Sequence, residues 1–144
     1  MTYTALDVLR AWETAKLWHK GQMYGDVDYM FHITAVHDKV VEVYGHQAYL
    51  ERVVAMLHDI IEDTLYTEAQ LYEDFGGEAF EAVYAMTKRP GEDYFDYIPR
   101  VKVNPIAVKV KKCDSFCNLT QSFKEQRHKG IIKYTTVLQL LEAD

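Results

Sequence analysis

Apolar positions recur along this chain at helical spacing, and nowhere do they alternate as in a strand. Ala5, Val8, Leu9, Trp12, Ala15, Leu17 and Trp18 repeat close to every about 3.6 residues, which predicts a helix from about Ala5 to His19 with Thr4 as its cap. Gly21 and the stretch Met23-Tyr24-Gly25-Asp26-Val27-Asp28 break that pattern into a loop. Ile33, Val36, Val40 and Val41 mark a second helix from about Tyr29 to Val43, closed by Tyr44-Gly45. No Pro or Gly falls between Gln47 and Leu65, so the apolar run Val53-Val54-Ala55-Met56 and the segment Leu57 to Thr64 predict one continuous third helix. Thr67-Glu68-Ala69-Gln70 has the form of a capping box for a short helix to about Phe75. Gly76-Gly77 ends it, and Glu78 to Met86 forms the next. Tyr94 to Val103 is predicted helical with Pro99 as a local irregularity. Asn104 as cap and Pro105 at the first helical position start a helix running from Ile106 to about Leu119. A last helix covers roughly Ile131 to Leu141, after a break at Gly130. With no strand, repeat or linker, the expected fold class is all-α, one domain over residues 1–144.

Composition narrows the functional classes. At 144 residues the chain can bury a proper core. A formal net charge of −6 argues against a general nucleic-acid binder and leaves only a local basic groove open. No apolar run approaches about 18 residues, so no membrane span is expected. Met1-Thr2-Tyr3-Thr4 is not the start of a secretory signal. Cys113 and Cys117 read as reduced thiols of a cytoplasmic protein.

Charge placement on the third helix is the informative feature. On a continuous helix, positions i, i+1, i+4 and i+5 form one stripe. Here that stripe holds His58, Asp59, Glu62 and Asp63, with Val53, Met56, Leu57, Ile60 and Ile61 on the other side. Three carboxylates beside one imidazole need more positive charge than the imidazole supplies. A divalent metal ion meets that need; the alternative is a solvated acidic edge at a helix C-terminus, where it opposes the dipole. His58 and Asp59 alone would hold an ion weakly, so further ligands must come from neighbouring helices. His32 shares a face with Phe31, Ile33 and Val36 and would point inward, as a ligand or as a hydrogen-bonded core histidine. Asp114 interrupts the core-facing run Val108 to Cys113, as a ligand or as the partner of Lys111 one turn earlier.

Taken in order, His32 … His58-Asp59 … Asp114 resembles the H…HD…D pattern of the HD-domain metal-dependent phosphohydrolases. The segment Leu57 to Thr64 looks like the LHDVVEDT segment of the RelA/SpoT-type hydrolases, which remove the 3′-pyrophosphate of the alarmone ppGpp. Val110 to Asn118 resembles that family's VKLADRLHN. Ala15 to Gln22 resembles its A-x-x-x-H-x-G-Q, Tyr29 to His32 its Y-x-x-H, and the block Phe75-Gly76 to Thr87-Lys88 its FG…V…LTK. The likeness covers most of the chain, from about residue 15 to 118.

The resemblance implies an HD-type helical bundle in which His32, His58, Asp59 and Asp114 ligate one metal, typically Mn2+. Glu62 and Asp63 would then position or deprotonate the attacking water. Lys111 and Asn118 match residues that contact the nucleotide, and Lys20, Lys88 and Arg89 are further candidate cations. The implied activity is removal of the 3′-diphosphate of (p)ppGpp, giving GDP or GTP and pyrophosphate, by a small stand-alone hydrolase. Departures fall where substrate identity is set. Met23-Tyr24-Gly25-Asp26 replaces a loop that in the family is one residue longer and carries an Arg, and Tyr24 could stack on a base in its place. Ser115 stands where an Arg follows the last ligand, and Ile33 where a Pro follows the first. Another nucleotide substrate (a dNTP, a nucleoside monophosphate or a signalling nucleotide) and a non-catalytic nucleotide-binding module are the alternatives. Ile131, Ile132, Val137, Leu138 and Leu141 would suit either a homo-oligomer contact or closure of the bundle.

Overall fold

A computed structural model describes residues 2–143; Met1 and Asp144, the two ends of the expected domain, lie outside the described residues. Nine helices are described: α1 (Ala5–Trp18), α2 (Met30–Tyr44), α3 (Tyr49–Leu57), α4 (Ile60–Asp63), α5 (Glu68–Phe75), α6 (Gly77–Met86), α7 (Tyr94–Lys102), α8 (Pro105–Lys124) and α9 (His128–Glu142). The all-α expectation holds. No described helix is long and apolar enough to cross a membrane.

The centre of the bundle is a triangle. α2, α3 and α8 each pack against the other two, α1 covers α3, and α6 leans on α3 and α8. α3 explains why: Val53, Val54, Ala55, Met56 and Leu57 are all buried, so the C-terminal half of this helix, beyond Glu51 and Arg52, is apolar on every side and can sit only inside. Burial of one such side chain contributes about 1.5–3 kcal/mol, so this short helix anchors the fold. The predicted start signals work as expected. Asn104 Oδ1 accepts from the Ala107 amide at 2.9 Å with Pro105 behind it, and the Thr67 hydroxyl accepts from the Gln70 amide at 3.1 Å.

Several boundaries differ from the sequence reading, each for a local reason. The third helix is not continuous: it stops at Leu57, turns through His58 and Asp59, and resumes as the single turn α4. His58 Nδ1 bonds back to the Ala55 carbonyl at 2.7 Å, taking an acceptor that a continuing helix would use, and Asp59 sits at φ −104, ψ 0. The expected single stripe of His58, Asp59, Glu62 and Asp63 therefore does not exist. The loop after α1 contains a small antiparallel hairpin, β1 (Met23–Tyr24) with β2 (Val27–Asp28), where no strand was expected. Its two-residue turn is made by Gly25 at φ 63 and Asp26, a conformation glycine adopts without steric cost. Gly130 is not a helix break but lies inside α9. A Cβ there would meet Ser122 Oγ at 2.3 Å, so glycine is what lets α9 close onto α8. α7 runs through Pro99, whose side is exposed, and ends three residues later.

Candidate metal centre

The three corners of the central triangle each supply part of one cluster. α2 contributes His32 from its first turn, the turn after α3 contributes His58 and Asp59, and the middle of α8 contributes Asp114. His32 and His58 are 3% and 2% exposed and Asp114 5%, in a region otherwise lined by core residues. His32 Nε2, His58 Nε2 and an Asp59 carboxylate oxygen lie within 4.8 Å of one another. Asp114 Oδ1 reaches both rings, at 2.9 Å from His32 Nε2 and 3.4 Å from His58 Nε2. Asp59 Oδ2 is 3.1 Å from His58 Nε2.

One feature of the cluster tests whether a cation fits. A backbone carbonyl only accepts, so the Ala55 contact fixes the proton of His58 on Nδ1. In the neutral ring that leaves Nε2 as the lone-pair nitrogen, buried and aimed between two carboxylates that can offer it no proton. An imidazole whose second nitrogen is held by a carbonyl while the first faces carboxylates is how metal-ligating histidines are oriented. Two imidazole nitrogens with two carboxylates make a donor set suited to a divalent transition metal.

The electrostatics agree. Burial alone would suppress charge on His58, yet Asp59 and Asp114 outweigh it and raise its pKa well above the ordinary value. Burial likewise opposes ionisation of both carboxylates, but His58 pulls Asp59 down to about 2, and Lys111 with His58 holds Asp114 well below the usual range. The site therefore demands positive charge, from a proton or from a metal ion.

Secondary contacts hold each member. The Tyr29 hydroxyl donates to Asp59 Oδ2 at 2.6 Å. Lys111 Nζ donates to Asp114 Oδ2 at 3.0 Å, and Asn118 Nδ2 to its Oδ1 at 3.2 Å. The Tyr24 hydroxyl donates to Asn118 Oδ1 at 2.6 Å, and its ring stacks on His32 with centroids 4.8 Å apart. Of the expected substrate contacts, Tyr24, Lys111 and Asn118 thus lie at the cluster, bonded to its members. Lys20 does not: it is exposed and lines a separate cavity of about 940 Å³ with Trp12, Leu17 and Phe31, to which no member of the cluster contributes.

Glu62 and Asp63 stand outside the cluster, exposed at its rim, and face different neighbours. Glu62 Oε1 accepts from the Lys88 amide at 2.8 Å, whereas Asp63 Oδ2 accepts from Gln22 Nε2 at 3.0 Å. Partial burial raises both pKa values above the ordinary range; Asp59 adds to the effect in each, and the hydrogen bonds oppose it. Gln22 is itself oriented by His19, whose Nδ1 lies 2.7 Å from Gln22 Oε1.

Tyr29, Gln22 and His19 were missed as site residues, although all three lie in the segments that carry the family resemblance. Arg127, Lys129 and Lys133 were missed as well, and no sequence signal marks them. They line a cavity of about 340 Å³ with Tyr24, Asn118 and Tyr134, and only the pairing of α8 with α9 brings them beside these two cluster neighbours, Tyr24 and Asn118; no member of the cluster itself lines it. Cys113 and Cys117 are free, with burial pushing their thiols up to about 11 and about 12, which leaves them unreactive.

No protein-family model matches the chain. A guanosine-3′,5′-bis(diphosphate) 3′-pyrophosphohydrolase of Haemophilus influenzae is 39% identical to it over 72 residues. That match spans 49% of this chain and 10% of the relative's length, so the chain corresponds to a small part of that protein. Among solved structures, one described as a metazoan ortholog of SpoT that hydrolyzes ppGpp and plays a role in starvation responses superposes with a TM-score of 0.81. The superposition covers 99% of this chain and 89% of that chain at 17% sequence identity, a likeness of fold.

Proposed function

We propose that this chain is a divalent-metal-dependent pyrophosphohydrolase of (p)ppGpp, removing the 3′-diphosphate to leave GDP or GTP and pyrophosphate. The observation that carries the metal part is His58 Nε2, a buried nitrogen set between Asp59 and Asp114 by the Ala55 carbonyl, where either a proton or a metal ion must sit. The nucleotide part is supported by the identity to the Haemophilus influenzae enzyme and by the shared fold with the metazoan protein. Residues 1–144 would act as one hydrolase domain, working in the cytoplasm with its thiols reduced.

His32, His58, Asp59 and Asp114 would hold the metal, with Mn2+ as the proposed ion. When bound, it supplies positive charge to a phosphoryl group and acidity to a water. The residues of the chain do the rest. Glu62 and Asp63, kept basic enough by their raised pKa values and each with one carboxylate oxygen free of the bonds described, accept a proton at the rim. Arg127, Lys129 and Lys133 gather cationic charge beside Tyr24 and Asn118 in a chain of net charge −6, a place for the phosphates of the substrate. Lys88 and Arg89 border Glu62 on the other side of the rim.

A second reading, hydrolysis of another nucleotide, is favoured by one observation. Lys111 and both groups of the Asn118 amide are already used inside the site, on Asp114 and Tyr24. The test is hydrolysis of ppGpp by the purified protein with manganese, with products separated by anion exchange, beside a panel of dNTPs and nucleoside monophosphates. Pyrophosphate and GDP from ppGpp are the expected products. Turnover of the panel alone would transfer the assignment to the second reading, and bound nucleotide without turnover would leave a binding module.

A further inference from the structure

We propose that Tyr24 is a positioning residue of the metal centre, holding His32 and Asp114 in their ligating orientation, rather than a platform for the nucleotide base. This rests on the metal-centre reading above. The β1–β2 hairpin carries Tyr24 over the cluster, and its ring and its hydroxyl perform separate tasks. The ring lies on the His32 imidazole, centroids 4.8 Å apart and planes 30° apart, so His32 cannot rotate about its ring axis without displacing the hairpin. The hydroxyl donates to Asn118 Oδ1 at 2.6 Å and anchors that end of the amide. The Asp114 carboxylate, one turn earlier on α8, only accepts and so sets the direction of the amide, whose Nδ2 donates to Asp114 Oδ1 at 3.2 Å. The same oxygen lies 2.9 Å from His32 Nε2, so the chain of contacts closes on the ring that Tyr24 covers.

Closure is what makes the arrangement more than incidental packing. Without the hydroxyl, the Asn118 side chain loses the bond that anchors its far end and is free to swing away from the Asp114 carboxylate. With it, both ligands are fixed from one side chain. Groups that orient ligands in this way typically change metal affinity by about 10- to 100-fold when removed.

The experiment is calorimetric titration of manganese(II) into the metal-free 144-residue chain, comparing wild type, Tyr24→Phe and Tyr24→Ala. Tyr24→Phe keeps the ring and should weaken manganese binding about tenfold with an unchanged melting temperature of the metal-free form; Tyr24→Ala should weaken it about 100-fold. Adding Asn118→Ala to Tyr24→Phe should cost little more, because both act on Asp114 through one path. In turnover assays, saturating manganese should restore kcat of Tyr24→Phe while KM for the nucleotide stays put. Unchanged manganese affinity in Tyr24→Phe and Tyr24→Ala, with a raised KM, would overturn the proposal and return Tyr24 to the base. A wild-type chain that takes up no manganese would instead overturn the metal-centre reading, an outcome visible before any variant is made.

Discussion

The floor of the site and its rim are built on different principles. At the floor every candidate ligand has its own holder: Ala55 for His58, Tyr29 for Asp59, Lys111 and Asn118 for Asp114, the Tyr24 ring for His32. At the rim, Glu62 and Asp63 each carry one described hydrogen bond, to the Lys88 amide and to Gln22, and both are exposed. The contrast separates two demands. A metal ion needs donors fixed before it arrives. A proton acceptor needs a free oxygen, a raised pKa and room for water and substrate to enter.

Removing a floor residue should have the largest effect. Asp59→Ala is expected to abolish manganese binding and turnover and to lower thermal stability, because Tyr29 and His58 lose their common partner; metal content after dialysis and a melting curve check this. Full metal occupancy in that variant would break the distinction between floor and rim. Glu62→Gln should keep the metal and cut turnover by about 10² to 10⁴, the usual scale for a general base. A near wild-type rate would move the proton to Asp63. Gln22→Leu removes the bond that orients Asp63, along with the Gln22 contact to His19, and about a tenfold fall in kcat at unchanged metal affinity is expected, read by kinetics at saturating manganese.

The smallest effect concerns the loop behind the rim. Arg100 donates to both oxygens of Glu92, at 2.7 and 3.2 Å, and to the carbonyls of Tyr84 and Thr87, fastening the segment that carries Lys88. The Arg100 hydrogen bond, aided by the Arg89 amide, lowers Glu92 from 4.5 to about 2. A carboxylate whose folded pKa is depressed contributes stability that is present above the unfolded value, and it is lost as pH falls through the folded one. Glu92→Gln should therefore cost about 1 kcal/mol near neutral pH. The difference from wild type should shrink as pH drops from 4.5 towards about 2, followed by thermal melts across that range. A pH-independent difference would show that shape, not charge, holds the loop.

Much of this architecture is legible residue by residue. Asn104-Pro105 and Thr67 … Gln70 announce helix starts because they satisfy amides that a helix end leaves free, a purely local matter. The order His32, His58-Asp59, Asp114 could be read as a set through its family resemblance. What could not be read is equally specific. The break at His58 depends on a side chain folding back on its own helix, and Gly130 looks like a stop because its meaning, room for Ser122, lies on another helix.

The sequence by itself determined which faces are apolar and where most helices begin, since these follow from periodicity and local hydrogen bonding, and through its family resemblance it named candidates for the chemistry. Only the tertiary structure decided which of them meet. It separated Glu62 and Asp63 from the cluster they adjoin in sequence, sent Lys20 to another cavity, and brought Arg127, Lys129 and Lys133 beside Tyr24 and Asn118. The physical reason is that these contacts join residues far apart along the chain, and their geometry is set by how α2, α3, α8 and α9 pack rather than by any neighbour in sequence.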